Sequence, residues 1–156
     1  MRPTHLVIAA AALWLCACFS LTSPVVRAAT STRQDAQTHS VWEGAYSDAQ
    51  ATRGQGLYGQ ECGTCHGQTL AGGEAAPPLV GTDFLKAWTG LALGELFERI
   101  RTTMPQDSPG RLSRQQVADI LAHILKVNEF PAGEKELSRD AAALAQILID
   151  DKPAAK

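Results

Sequence analysis

Three side chains with unusual chemical reach fall in one short stretch of this sequence. Glu61-Cys62-Gly63-Thr64-Cys65-His66-Gly67 sets two thiols three residues apart and an imidazole directly behind the second. Four chemistries use such a pattern: a short-range disulfide, half of a zinc site, a redox dithiol, or the attachment point of something larger. A bridge between residues 62 and 65 closes a very small loop and restricts the unfolded chain little. Structural zinc takes four ligands, usually as two pairs, and no second cysteine–histidine cluster is present. A thioredoxin-like dithiol belongs in a βαβ setting, and here the pair closes a helical segment in a chain with no strand pattern. Covalent haem c remains, and its chemistry accounts for the spacing. Two cysteines on one turn can add across the two vinyl groups on one edge of a porphyrin. His66 then lies under the ring, where a neutral imidazole can bind iron.

The compartment suits that chemistry. Arg2 leads into an apolar run, Leu6 to Leu15, too short for a comfortable membrane span of roughly 20 residues. Pro24 and the small-residue site Val26-Arg27-Ala28 follow, so residues 1–28 read as a secretory signal peptide cleaved after Ala28. An alternative is Leu15-Cys16-Ala17-Cys18, loosely similar to a bacterial lipobox, which would leave a lipid anchor on Cys18. Cleavage after Ala28 removes Arg2 and Arg27 from the 14 basic residues, leaving 12 against 16 acidic ones, a net charge of −4. Such a chain carries no basic stripe for nucleic acid, and no later stretch could span a membrane. Its length suits one domain.

The elements that must position the motif are helical. Residues 29–44 read as a flexible arm of small and polar residues, with order beginning near Trp42. Ser47 with Gln50 three residues on forms a capping-box pattern, which predicts a helix over about 48–61. Its glycines at 54, 56 and 59 lower its propensity and imply close approach of a backbone or a flat group. Residues 67–82 read as a long functional loop. Leu93, Leu96, Phe97 and Ile100 recur at helical spacing within Leu91–Thr103. Ser113 and Gln116 repeat the capping signal ahead of the stripe Val117, Ile120, Leu121, Ile124 and Leu125, which Asn128 and Pro131 end. A last short helix runs from Ser138 toward Ile147. The fold class is all-α.

With those residues placed, the chain resembles a class I c-type cytochrome over about 45–137, with residues 138–156 as a C-terminal extension. The family carries a glycine eight residues and an aromatic four residues before the first haem cysteine; Gly54 and Tyr58 stand there. The resemblance implies that they pack the first helix against the last, here Ser113–Val127. His123 stands where the family usually holds an aromatic, and it and His39 read as packing or surface residues. Thr102-Thr103-Met104-Pro105 fits the Met-Pro of His/Met-ligated members, and Met104 is the sole thioether left once residues 1–28 are removed. Ala76-Pro77-Pro78-Leu79 is similar to the family's Gly-Pro-x-Leu, whose proline carbonyl accepts the hydrogen on Nδ1 of the proximal histidine; Pro77 takes that role, or Pro78 by a one-residue slip. Trp88 lies where related sequences hold an indole that can reach a haem propionate.

An iron closed by His66 and Met104 has no vacant position, and such ligation suits electron transfer. The expectation is a periplasmic, non-enzymatic one-electron carrier with one haem c. It would take electrons from a dehydrogenase and pass them to an oxidase or another cytochrome. The exposed haem edge near Cys62, Thr64 and the 104–108 loop would be its docking patch. Two alternatives stand: a peroxidase-type or ligand-sensing haem protein, and a permanent subunit of a dehydrogenase or oxidase complex. The second draws on Val41-Trp-Glu-Gly-Ala-Tyr, Met104-Pro-Gln-Asp-Ser-Pro-Gly and Phe130-Pro-Ala-Gly. These are similar to stretches of cytochromes associated with quinoprotein or molybdenum dehydrogenases.

Overall fold

A computed structural model describes residues 38–74 and 76–154. The proposed signal peptide, the Cys18 alternative and the first part of the arm lie outside the described residues. The order is β1 (His39–Ser40), a 3-10 turn at Val41–Glu43, α1 (Asp48–Glu61), α2 (Gly63–His66), α3 (Gly81–Trp88), α4 (Leu93–Thr103), α5 (Arg114–Val127), α6 (Ala141–Leu144) and β2 (Ile147–Leu148). No helix among the described residues is long and apolar enough to cross a membrane.

Two capped helices form the frame. The Ser47 hydroxyl accepts the Gln50 backbone N–H and starts α1. Ser113 and Gln116 exchange side-chain and backbone bonds at the start of α5, satisfying donors that a helix start leaves open. Helix α5 buries Val117 through Leu125 without a break. It crosses α1 at Gly54, where a Cβ would stand 1.8 Å from the Asp119 carbonyl oxygen. Only glycine permits that approach. Helix α4 adds Leu93, Leu96, Phe97 and Ile100 to the same core.

The chain ends differ from the sequence expectation. Residues 39–44, assigned there to a flexible arm, are tied down. His39 and Ser40 pair in parallel with Ile147 and Leu148, and Val41 is fully buried. The Trp42 indole donates to the Asp150 carbonyl at 2.9 Å. The segment after residue 138 is likewise no appendage: Leu144 and Ile149 are fully buried. Gly94 of α4 lies so near α6 that a Cβ would meet the Ala141 carbonyl oxygen at 2.9 Å. Burial of those two apolar side chains draws the segment into the domain. Helix α3 was not expected. Its N-cap, Val80, makes no side-chain cap, so the usual start signal is missing.

Candidate haem-attachment site

Helix α1 delivers the motif and α2 shapes it. The Cys62 N–H closes on the Tyr58 carbonyl, and Cys65 and His66 both donate back to the Cys62 carbonyl, at 3.2 and 2.9 Å. The two thiols and the imidazole therefore share one turn. Cys65 and Thr64 are exposed, Cys62 is half-buried and His66 is buried. No disulfide joins the two cysteines. Burial, with the neighbouring Cys65 as the lesser cause, pushes the Cys62 thiol up to about 11. That is the opposite of what a redox dithiol needs, since its reactive cysteine works as a stabilised thiolate.

The loop after the motif folds back over the histidine. Gly72 N–H donates to the His66 carbonyl at 2.9 Å, Gly73 N–H to Ala76 at 2.9 Å and Leu79 N–H to Leu70 at 2.8 Å. Gly72 takes a φ of +79°, and a Cβ there would collide with the Pro78 nitrogen at 2.6 Å, so the reversal depends on glycine. The turn sets the Pro77 carbonyl oxygen 2.8 Å from His66 Nδ1. A carbonyl can only accept, so Nδ1 carries a proton, and in the neutral imidazole this leaves the lone pair on Nε2. This is the donor chemistry an iron ligand requires, with its orienting partner in place. Pro77 rather than Pro78 makes the contact.

Met104 caps the C-terminal end of α4, its N–H bonded to the Ile100 carbonyl at 3.0 Å. It is half-buried against the core, as is Trp88 at the end of α3. Cys62, Cys65, His66 and Pro77 are thus brought together by α2 and its return loop, while Met104 and Trp88 reach the core from other elements. A vinyl-reactive thiol pair, an imidazole with a free Nε2 and a thioether at a helix end together fit a haem c.

Behind the motif, the Tyr58 hydroxyl donates to the Gly67 carbonyl at 2.8 Å, and its ring packs on His123 with centroids 5.5 Å apart. Two supports escaped the sequence reading. Arg53 grips the buried Asp119 through two bonds of 3.1 Å and reaches Glu136 at 2.9 Å, pinning α1 to α5 beside Gly54. Arg111 pairs with Glu61, the residue before Cys62. Their only signal is opposite charge at distant positions, which sequence spacing does not reveal.

Residues 49–124 match the family model described as Cytochrome C oxidase, cbb3-type, subunit III. The solved sulfane dehydrogenase SoxCD from Paracoccus pantotrophus is similar at 19% identity and a TM-score of 0.45, over 64% of this chain and 52% of that one. The chain thus spans about half the length of the chain it matches. No curated protein matches.

Proposed function

The chain is a class I c-type cytochrome, a family that implies haem c, and from that premise we propose that it is an exported one-electron carrier. One haem would be held covalently through the thiols of Cys62 and Cys65, and His66 and Met104 would supply the imidazole and thioether donors to its iron. The observation that carries this reading is the 2.8 Å contact of His66 Nδ1 with the Pro77 carbonyl, which frees Nε2 for iron. The bound group supplies a centre that takes up and releases one electron.

The chain's own residues do the rest. Pro77 fixes the tautomer and orientation of His66. Tyr58 braces the turn through Gly67. Met104 would close the iron to oxygen, peroxide and diatomic ligands, which favours a carrier over a catalyst. Trp88 would offer its indole N–H to a propionate. Export places the protein in the periplasm, where a dehydrogenase donor and an oxidase or second cytochrome as acceptor complete the path.

Purified holoprotein tests this. The wild-type band on a denaturing gel should stain for haem, and Cys62→Ala/Cys65→Ala should not. The ferric protein should show the weak near-infrared sulfur-to-iron band, and Met104→Ala should lose it. Carbon monoxide should leave the reduced wild type unchanged. An unstained wild-type band refutes haem attachment. A band surviving in Met104→Ala refutes the sixth ligand, and rapid carbon monoxide binding refutes the closed iron.

A further inference from the structure

The segment that carries Met104 toward α5 is fastened at few points. Met104 N–H holds the end of α4 at 3.0 Å, and Leu112, 5% exposed, plugs the core just before the Ser113 cap. Between them the chain bonds mainly to itself: Ser108 N–H to the Pro105 carbonyl at 3.0 Å and Arg111 N–H to the Ser108 carbonyl at 3.4 Å. Residues 106–111 are exposed, and Gly110 has a φ of +77°. Among the described residues, one side-chain ion pair or hydrogen bond joins this segment to the rest of the protein, from Arg111 to Glu61. The Glu61 side chain is 13% exposed and that of Arg111 47%. The nearby Glu98 is taken by Arg101, in bonds of 2.6 to 3.0 Å, with Arg114 at 3.9 Å.

Glu61 is the residue bonded to Cys62. A guanidinium on Glu61 therefore ties the Met104 loop directly to the haem-attachment turn. We infer that Arg111 is a positioning residue for the sixth ligand: its pairing with Glu61 holds the 104–112 loop closed and so keeps the Met104 thioether on the iron. This rests on the ligation proposed above. Pairs with one exposed partner contribute modestly to global stability. Here the pair acts on the local opening of one loop, an equilibrium much closer to balance than global unfolding. An external ligand that binds only the opened form reports that equilibrium, because its apparent affinity scales with the open fraction.

Imidazole is that probe, titrated into ferric holoprotein while the near-infrared band is followed. Arg111→Gln should bind imidazole about two- to fivefold more tightly, the change that loss of an exposed pair gives an opening equilibrium. Glu61→Gln should do the same. The double variant should add nothing further, Arg111→Lys should recover much of the wild-type affinity, and the melting temperature should move little. Unchanged imidazole affinity in Arg111→Gln overturns the inference. So do opposite and additive effects of the two single substitutions, which would reduce both residues to independent charges near the iron. A wild type without the near-infrared band would instead refute Met104 ligation itself, and the inference would fall with it.

Discussion

At position 123 a titratable ring replaces the flat aromatic that the family resemblance implies. His123 is 8% exposed and packs against Tyr58 at an interplanar angle of 54°. It borders a hollow of about 350 Å³ shared with Gln55, Gln68 and Thr69, so it sits at a boundary. Burial, and secondarily the charge of Lys126, hold its pKa below the ordinary 6.5. The sign for stability follows from linkage. The unfolded state binds the proton more readily, so stability from this residue is fully present above about pH 6.5 and is lost as pH falls from there through the lowered folded value. His123→Tyr keeps the ring and removes the titration. Melting curves of wild type and variant should diverge as pH drops from 7 to 5, the variant being the flatter. Parallel curves would show that the ring is not held neutral by its surroundings.

The crossing of α1 and α5 shows how much of the architecture can be read before folding. Ser47 with Gln50 and Ser113 with Gln116 mark both starts, because a helix start needs side-chain acceptors and these pairs supply them. The meeting of Cys62, Cys65 and His66 was legible for a similar reason, since their spacing places all three on one turn. Helix α3 was not, having no capping side chain at Val80 and a glycine at its first position. The Arg53–Asp119 grip was hidden too, since a buried aspartate on an apolar face looks like any polar interruption until its partner 66 residues away is placed. Two glycines of α1 test the packing argument against each other. A Cβ at Gly54 would meet backbone at 1.8 Å, whereas one at Gly56 meets nothing within 4 Å. Gly54→Ala should cost about 2 kcal/mol or more, overpacking outweighing the propensity gained. Gly56→Ala should stabilise by about 0.5–1 kcal/mol. Denaturant unfolding of holoprotein gives both values, and similar changes in the two variants would mean that Gly54 is not at a close crossing.

Over the whole molecule, the two ends of the described chain close on one another and on α4. The small and polar residues at 29–44 suggested a flexible arm and residues 138–156 an extension with one short helix, because composition reports local preference and not what a distant segment will cover. What reverses that expectation is a handful of apolar and aromatic side chains. Trp42 packs at a tilt against Phe130 with centroids 4.7 Å apart, while its indole and the Ser40 hydroxyl both bond to Asp150, at 2.9 and 2.7 Å. Ile149 N–H and the Leu91 carbonyl meet at 3.0 Å, and Leu144 sits fully buried beside the close approach of α6 to Gly94. A small domain has little apolar area to spare, so this closure should matter to the whole. Leu144→Ala removes one such side chain from a fully buried site. The expected loss is about 2–5 kcal/mol, read as a lower melting temperature of the holoprotein by circular dichroism. The haem stain and the near-infrared band proposed for the wild type should persist at low temperature, since neither the 62–66 turn nor Met104 is touched. If Leu144→Ala melts with the wild type, residues 138–154 are an appendage after all, and the domain ends near residue 137.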